Sequence, residues 1–424
     1  MDKLMVFREI GGEYELVGIL RATDDGAVFS YAEEYLESSA PASISVNFPL
    51  REGPFESAET RRFFDGLAPE GQLRKAMSAA FHSDRSDYRE FMARLNNESA
   101  GALVFAEDPA ILVEGRGYKK YTMDDLEDFA RSPRSGELRA GMVSRLSLAG
   151  AQAKIGLHHV GVDVADGWLL PMGSAPSTYI VKAVDDFFPG QTINEALCMK
   201  VATALGYETA DCELIDIDGF EPLLAVKRFD RLPAEVGGDF PRRLHQEDFC
   251  QALGYEPYQK YEPTDGNYAI NSALMIGRTT RNPFGDRMGF LSRLLLDWAI
   301  GNCDNHLKNH SLLWGADWGS RTLSPIYDLT CTTIYPELDR EMGVSLCRSR
   351  KIDDVRRGDL VELAKQLRAP RHFLDSELEE IDDKLLVVLE SCVAELVGAG
   401  FSQAEQIGEG IAEGYRMRRA ALDA

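Results

Sequence analysis

The sequence lacks an excess of positive charge. Its 46 lysines and arginines are outnumbered by 69 aspartates and glutamates, which gives a formal net charge of −23 over 424 residues. A surface this acidic repels phosphate backbones, so stand-alone nucleic-acid binding is not expected. Apolar residues make up 44% and aromatic residues 9%, as in chains that bury a core, which excludes a wholly disordered protein. At roughly 150 residues per domain, the length predicts two or three domains or lobes.

Long apolar runs and regular cysteine spacings are also missing. Segments such as 294-LLLDWAIG-301 are far too short to cross a bilayer. The first residues, MDKLMVFREIGG, contain no signal-peptide pattern. The seven cysteines are widely spaced and form no CxxC pair, so we expect reduced thiols rather than disulfides or a zinc site. These absences predict a cytoplasmic protein with no membrane partner.

Turn signals divide the chain into segments of different pattern. Three β-rich runs near the start are separated by glycine-containing turns: 4–10, 13–20 and 27–32. A helical stretch follows from about 59 to 95, and residues 122–135 are predicted to be a polar, irregular boundary. Strand-like runs return between 154 and 229, interrupted by one amphipathic helix over 193–206. The chain beyond 245 is mostly helical in pattern.

One segment carries residues in the order that phosphoryl transfer uses. In 301-GNCDNHLKNHSLL-313, Asp304 precedes Asn309 by five positions, and Asp328 lies further along. Protein kinases use such an Asp to accept the proton of the acceptor hydroxyl, and the Asn and the later Asp to hold Mg²⁺. Lys308 between them is suited to neutralise charge on the transferred phosphoryl group. Taken alone the pattern is weak, and the simpler interpretation is an Asp/Asn pair that caps helices and satisfies loop amides.

Two upstream features are suited to bind phosphates. Small residues in 147-SLAGAQAKIGL-157 allow backbone amides around Gly150 to approach a phosphate, although a tight turn between strands is the simpler interpretation. Lys182, in the apolar run 179-YIVKAV-184, is either an edge residue that reaches water or an ion-paired phosphate ligand. Glu195 is its natural partner, or else an acid that the helix dipole favours.

Short motifs occur in a fixed order along most of the chain: 63-FFDGLAPEG-71, 147-SLAGAQAK-154, 193-INEALCMKVATALG-206, 225-AVKRFDR-231, 244-LHQEDFCQALG-254, 260-KYE-262, 301-GNCDNHLKNHSLL-313 and 325-PIYDL-329. This ordered set resembles the HipA-type serine/threonine kinases, the toxins of bacterial toxin–antitoxin pairs. The resemblance implies an α+β fold of the protein kinase-like, HipA-type, two-lobed kind. It also implies a mixed β/α N-terminal subdomain for partner docking over 1–110, a strand-rich nucleotide-binding lobe over 140–232 and a helical catalytic lobe over 233–424.

The resemblance further implies roles for individual residues. Asp304 would be the catalytic base, with Lys308 beside it in the catalytic set, and Asn309 and Asp328 would hold Mg²⁺. The residues implied to contact ATP are Ala149, Gly150, Ala151, Gln152, Lys154, Lys182, Lys227, Phe229, Asp304, His306, Asn309 and Asp328. Within this set Lys182 would bind the α- and β-phosphates, the loop 149–154 would cover the phosphates, and the backbone of Val226–Phe229 would receive adenine.

Regulation, partner and substrate are implied in the same way. Ser147 would be an autophosphorylation site, at which an added charge of about −1.5 to −2 pulls the loop out of the nucleotide site. The partner would be a small helix-turn-helix antitoxin that binds DNA, and the substrate a serine of a protein, in some members an aminoacyl-tRNA synthetase. Lys227, Ala153 and His310 depart from the usual family residues, but none of them removes a chemical group from the mechanism.

Two other functions are open at this point. One is a kinase-like binding module with weak catalysis that bridges a DNA-bound antitoxin, which a missing catalytic carboxylate would favour; none is missing. The other is phosphoryl transfer to a lipid or small molecule, since a fold does not determine the substrate.

Overall fold

The structure, a computed structural model, shows strands and helices in distinct parts of the chain. Its described residues are 2–82, 84, 87–95, 99–135, 152–184, 188–346 and 348–422. A four-stranded antiparallel sheet of order β3-β2-β1-β4 begins the chain and consists of β1 (Lys3–Ile10), β2 (Glu13–Thr23), β3 (Gly26–Tyr31) and β4 (Leu103–Ala106). Four helices connect β3 to β4: α1 (Glu33–Leu36), α2 (Ser57–Phe64), α3 (Gly71–Phe81) and α4 (Tyr88–Leu95). We refer to the described residues between 2 and 106 as the N-terminal module.

An aromatic cluster fixes where α2 leaves this sheet. Phe29 of β3 lies 5.4 Å from Phe64 of α2 between ring centroids, and Phe48 lies 5.4 Å from Phe63. All four rings are buried, and aromatic pairs of this kind contribute about 0.5–1.5 kcal/mol each beyond their buried area. This packing holds the end of α2 in place, and the segment Gly66–Glu70 follows it directly.

A six-stranded antiparallel sheet of order β5-β7-β6-β8-β10-β9 forms the strand-rich lobe. Its strands are β5 (Gly117–Lys120), β6 (Lys154–His159), β7 (Trp168–Met172), β8 (Tyr179–Lys182), β9 (Cys212–Ile215) and β10 (Leu223–Lys227). The described part of this lobe includes the helices α5 (Met123–Arg131) and α6 (Gln191–Ala204). Gly206 follows α6 with a φ of +92°, which agrees with the predicted end of this helix.

The prediction that 122–135 is irregular was wrong, because α5 occupies most of it. Thr122 and Asp125 form a capping box, in which the Thr122 amide donates to Asp125 Oδ2 at 2.8 Å. Leu126 and Phe129, three residues apart, are buried in the core of the strand-rich lobe. Because the segment is rich in acidic residues, its short apolar face was not recognised in the sequence. The structure shows that this face packs against the sheet.

The rest of the chain forms a helical lobe with short strands. Its helices are α7 (Phe249–Ala252), α8 (Tyr268–Thr279), α9 (Pro283–Ile300), α10 (Arg357–Gln366), α11 (Arg371–Gly398) and α12 (Gln403–Leu422). Its strands are β11 (Arg231–Leu232), β12 (Arg242–Arg243), β13 (Gln246–Asp248), β14 (Ser311–Trp314), β15 (Arg321–Leu323), β16 (Glu341–Leu346) and β17 (Ser349–Lys351). None of the helices in the described ranges is both long and apolar enough to cross a bilayer. The domain boundaries given above stay a prediction.

Helix α9 directs the chain into the segment that carries Asp304. Arg418 of α12 donates to the carbonyl of Trp298 at 2.9 Å and to that of Ala299 at 3.0 Å, so the last turn of α9 is capped by a buried guanidinium. Gly301 then has a φ of +94°, and a Cβ there would collide with the side chains of Thr333 and Arg418. The residues that follow therefore leave the helix in a fixed direction.

A buried charge network joins the N-terminal module to the two lobes. Arg228 and Arg231 lie 2.8 and 3.0 Å from Asp230 Oδ2, and the Gly101 amide donates to the same oxygen at 2.8 Å. Arg228 also donates to the carbonyl of Ser99 at 3.0 Å. Burial alone would raise the pKa of Asp230, but Arg228 and Arg231 outweigh it and hold the pKa well below its usual range.

We expect Asp230→Ala to lower the free energy of unfolding by about 3–5 kcal/mol at pH 7, because two buried guanidiniums lose their counter-charge. The folded-state pKa of Asp230 is depressed, so this stabilisation is present above about pH 4, the unfolded value, and is lost as the pH falls below it. Urea denaturation of both proteins between pH 3 and 7 measures the difference. Asp211→Ala, which removes the exposed partner of Lys227, is the control. A loss at Asp230 no larger than that of the control would contradict the network.

Candidate active site

A cavity of about 570 Å³ lies between the six-stranded sheet and the helical lobe. This volume is in the range of small-molecule and cofactor sites. The predicted site residues that line it are Gln152, Lys154, Lys182, Lys227, Phe229, Asp304, His306, Lys308, Asn309 and Asp328. The other predicted site residues, Ser147, Ala149, Gly150 and Ala151, lie outside the described residues. Residues that are far apart in the sequence are therefore brought to one cavity.

Lys182 is ion-paired in the interior of the sheet. Its strand β8 lies between β6 and β10, so it is not an edge residue. The ammonium is 2.7 Å from Glu195 Oε1 and also contacts Asp328 Oδ1. Burial would lower the pKa of Lys182, but the two carboxylates raise it above its usual value, so the ammonium stays charged. Burial likewise opposes ionisation of Asp328, but Lys182 and Lys154 lower its pKa to about 2.

The backbone at Asp328 is held in an unusual conformation by α6. Asp328 has a φ of +54°, a left-handed value that costs a residue other than glycine on the order of 1–3 kcal/mol. Three residues later, the backbone of Cys331 forms two hydrogen bonds with the Asn194 side chain. The Cys331 amide donates to Asn194 Oδ1 at 3.0 Å, and Asn194 Nδ2 donates to the Cys331 carbonyl at 2.8 Å. Because α6 carries both Asn194 and Glu195, one helix positions Lys182 and the chain around Asp328 together.

The segment 301–309, called here the catalytic segment, presents Asp304 and Asn309 to the cavity. The Asn302 side chain accepts from the Asp304 amide at 2.9 Å, and the Asn309 side-chain nitrogen donates to the Asp304 carbonyl at 2.7 Å. The second bond satisfies a loop group, as the simpler interpretation of this motif expected. It accounts for neither the Asn309 side-chain oxygen nor the Asp304 carboxylate, and these are the groups that can bind a metal ion or a proton.

Tyr261 is a site residue that sequence reasoning missed. Its hydroxyl donates to Asp304 Oδ1 at 2.5 Å, and its ring meets His306 edge-on at 5.0 Å. Burial, and then the Asp304 charge, raise the pKa of Tyr261 well above its usual value, so the phenol remains a donor. The motif 260-KYE-262 was available as a signal, but nothing in it indicates a contact 43 residues away.

His306 is a neutral residue of the same wall. Burial lowers its pKa, and its Nδ1 atom is buried without a hydrogen-bond partner in the described part of the chain. A buried polar atom without a partner at the edge of a cavity is suited to bind a ligand. This observation fits the implied contact between His306 and ATP.

Lys308 makes contacts that the sequence did not predict. Its ammonium donates to the Gly66 carbonyl at 2.9 Å and lies 2.9 Å from Glu70 Oε1 and 3.4 Å from Asp248 Oδ2. Two of these three partners belong to the N-terminal module. The motif 63-FFDGLAPEG-71 contains both, but more than 200 residues separate them from Lys308, and no local pattern connects them.

The segment 226–229 runs along the opposite wall of the cavity. The Lys227 ammonium is exposed and lies 3.4 Å from Asp211, so only the backbone of Lys227 is placed to contact a ligand in the cavity. The Phe229 ring lies 5.2 Å from the ring of Tyr327. These two aromatic residues give this end of the cavity an apolar character suited to a planar ring system.

The residues around the catalytic segment fit a nucleotide with Mg²⁺. The Asn309 amide oxygen and the Asp328 carboxylate are the oxygen ligands that Mg²⁺ prefers, and Lys154 and Lys182 supply positive charge for phosphates. In the described part of the chain, no three His, Cys, Asp or Glu side chains are grouped as a metal site.

The two lobes and the cavity between them define a mixed α/β, kinase-like fold. A family model described as the HipA-like C-terminal domain matches residues 146–389, and another described as the HipA N-terminal domain matches residues 11–106. The chain belongs to the HipA family.

Individual relatives agree with this assignment. The kinase-like protein Y4mE of Sinorhizobium fredii is 32% identical over 324 residues, which cover 75% of each chain. The serine/threonine-protein kinase toxin HipA of Shewanella oneidensis is 27% identical over 375 residues, covering 85% of this chain and 82% of its own. A solved Shewanella oneidensis MR-1 complex of HipA, HipB and operator DNA matches with a TM-score of 0.81 at 21% identity, covering 98% of this chain and 97% of the other. This likeness confirms the predicted α+β, HipA-type fold.

We expect Lys182→Met to lower the free energy of unfolding by about 3–5 kcal/mol near pH 8, because Glu195 and Asp328 are left without their shared cation. Burial already raises the pKa of Glu195, and without Lys182 both carboxyl groups bind protons more readily in the folded state than they do in the wild type. Their protonation therefore stabilises the variant, and the loss shrinks as the pH falls toward 5. Thermal melting at both pH values, with Lys227→Met as the exposed control, measures this. An equal loss at pH 5 and pH 8 would show that the carboxylates do not repel each other.

Proposed function

We propose that the chain is an Mg-ATP-dependent serine/threonine protein kinase and the toxin of a HipA/HipB-type toxin–antitoxin module. The observation that carries the proposal is the convergence of Asp304, Asn309, Asp328 and Lys182 on one cavity. These groups come from β8, the catalytic segment and the chain before Cys331. Phosphoryl transfer depends on positioned charges of this kind more than on covalent chemistry by the protein.

Asn309 and Asp328 are the proposed Mg²⁺ ligands, and Lys182 and Lys154 the proposed phosphate contacts. When bound, Mg²⁺ would supply positive charge for the phosphates of ATP. The backbone of 226–229 and the Phe229 ring are the proposed contacts for adenine. If Asp328 bound the cation, Glu195 would still be the partner of Lys182.

Asp304 is the proposed general base. An acceptor serine hydroxyl attacks the γ-phosphorus, the new O–P bond forms as the bond to the β-phosphate oxygen breaks, and the hydroxyl proton passes to Asp304. Tyr261 already donates to Asp304 Oδ1, which leaves Oδ2 for the acceptor. This division of the two oxygens supports a role in which the carboxylate receives a proton from a bound hydroxyl.

Regulation and partners are proposed on the family relationship. Ser147 is the proposed autophosphorylation site, and it precedes by seven positions Lys154, the first residue of β6, which lines the cavity. A small HipB-like antitoxin is the proposed partner, with DNA contacted through it, as the composition of the Shewanella oneidensis complex suggests. The net charge of −23 fits a protein that reaches DNA through a basic partner. The proposed substrate is a protein serine, such as one in an aminoacyl-tRNA synthetase, in the cytoplasm.

We expect the purified chain, given γ-labelled ATP and Mg²⁺, to label itself on Ser147, and Asp304→Ala to reduce this transfer by about 100- to 10,000-fold. ATP binding by the variant should stay within about twofold, since the base acts on the acceptor. Mass spectrometry of phosphopeptides and calorimetry measure the two quantities, and Asp239→Ala, an exposed substitution, is the control. Transfer at the wild-type rate by Asp304→Ala would reject its role. ATP binding without any transfer by the wild type would favour the bridging module or a non-protein acceptor.

We expect Asp328→Ala to weaken ATP binding in the presence of Mg²⁺ by at least about tenfold, because one charged ligand of the cation is lost. Without Mg²⁺ the two proteins should bind ATP with similar affinity, or the variant more tightly, since a negative charge has been removed. Calorimetric titrations with and without Mg²⁺ test this. Asp339→Ala, which removes another aspartate that lines the cavity, is the control. An equal affinity of Asp328→Ala and wild type in Mg²⁺ would reject the metal-ligand role.

A further inference from the structure

Glu70 of the N-terminal module reaches two lysines of the helical lobe. One carboxylate oxygen lies 2.9 Å from the Lys308 ammonium, and the other accepts from Lys260 at 3.3 Å. These lysines are 48 positions apart in the sequence, and the Glu70 carboxylate brings their ammonium groups together. A single side chain of the N-terminal module, Glu70, thus contacts both lysines.

The local structure directs this carboxylate away from its own helix. Glu70 is the residue that precedes α3, the position at which acidic side chains normally cap a helix, but its side chain forms no cap here. The ring of Pro69 before it restricts φ, and Gly71 after it adopts a φ of +55°, a left-handed value that glycine takes without a Cβ clash. The carboxylate is therefore available for long-range contacts.

Glu70 stays ionised beside the two lysines at neutral pH. Burial alone would raise the pKa of Glu70, but Lys308 and Lys260 lower it to about 2. The Lys308 side chain is 7% exposed and that of Glu70 is 19% exposed, so the pair is largely shielded from water. A shielded pair of this kind is weakly screened by salt and geometrically constrained.

Both lysines are next in the chain to residues of the proposed catalytic site. Lys308 immediately precedes Asn309 in the chain. The Lys260 carbonyl accepts from the Leu307 amide at 3.1 Å, and the next residue, Tyr261, donates to Asp304 Oδ1. One carboxylate of the N-terminal module thus holds the catalytic segment at Lys308 and the Tyr261 segment that orients Asp304.

We propose that Glu70 is a positioning residue of the phosphoryl-transfer site, through which the N-terminal module holds the catalytic segment in its active geometry. The inference rests on the proposed kinase function and assigns the N-terminal module a part in catalysis. Lys308, on this view, acts as the anchor of the segment, because its ammonium is already surrounded by Glu70, Gly66 and Asp248. Displacement of catalytic groups by about 1 Å is enough to cost on the order of 100-fold in rate.

The test is Glu70→Gln, which keeps the shape of the side chain and removes its charge. We expect kcat to fall by about tenfold or more and the KM for ATP to change by a smaller factor, since Lys182 and the segment 226–229 belong to the other lobe, whereas Asn309 lies in the segment that loosens. Glu90→Gln is the matched control, because Glu90 is also an ion-paired glutamate of the N-terminal module, bound to Arg94 on its own helix. A kcat for Glu70→Gln equal to or above that of the control would overturn the proposal.

A double-mutant cycle of Glu70→Gln with Lys308→Met tests whether the loss of kcat in Glu70→Gln comes from the contact with Lys308 or from a general loss of structure. If Glu70 acts through Lys308, adding Glu70→Gln to Lys308→Met lowers kcat by much less than it does in the wild type. Multiplicative losses in the double variant would show that Glu70 acts elsewhere and would reject the proposal.

Hydrogen exchange provides a readout that does not need activity. Peptides covering 301–313 should exchange faster in Glu70→Gln than in wild type, and peptides of α11 should not change. Unchanged exchange over 301–313 would count against the proposal. If the wild type proves inactive, the proposed function fails while this measurement still decides whether Glu70 holds the segment. If Glu70→Gln does not fold, Glu70→Asp, which keeps the charge but shortens the reach, is compared with wild type by the same measurement.

Discussion

The ion cluster of Lys182, Glu195 and Asp328 is the interaction on which the arrangement of the lobes depends. Each residue comes from a different element: a central strand, the helix α6 and the helical lobe. Lys182 and Glu195 are buried, and either charge without its partner would be strongly unfavourable, so these elements must close on one another. The same contact holds Asp328, with its left-handed backbone, beside the cavity. The charge that stabilises the interface between the lobes is thus also the charge that the proposed chemistry uses.

Buried charge joins the N-terminal module to this arrangement at several places, among them the Glu9–Arg243 pair and the contacts of Asp230 and Glu70. Asp230 accepts a hydrogen bond from the Gly101 amide and forms ion pairs with two arginines. Glu70 forms ion pairs with Lys308 and Lys260. Both contacts form between fixed backbones, because aromatic packing supports the segment before Glu70 and short strands flank Asp230. Any partner that moves the N-terminal module would therefore act on the catalytic segment through these ion pairs.

The distribution of charge within the chain is as important as its total. The protein carries a formal charge of −23, but Lys154, Lys182, Lys260 and Lys308 line its cavity. Low-dielectric walls strengthen the attraction of such lysines for an anionic ligand, while the acidic exterior disfavours binding of polyanions elsewhere. Acidic residues such as Glu195, Asp304 and Asp328 line the same cavity, so the two signs of charge are mixed there, and phosphate binding stays part of the proposed function.

The sequence by itself determined the elements and the chemical types at the site. The strands, the helix that ends at Gly206, the order of Asp304, Asn309 and Asp328 and the HipA resemblance all rest on local patterns that the chain carries whatever its tertiary fold. The structure alone revealed the partners of these groups, as with Tyr261 beside Asp304, because such contacts join residues far apart in the chain. It also overturned the irregular structure predicted for 122–135, where burial of a short apolar face outweighed a polar composition. Local propensity acts between neighbours in sequence, whereas burial and charge pairing act between neighbours in space, and only the folded chain brings those together.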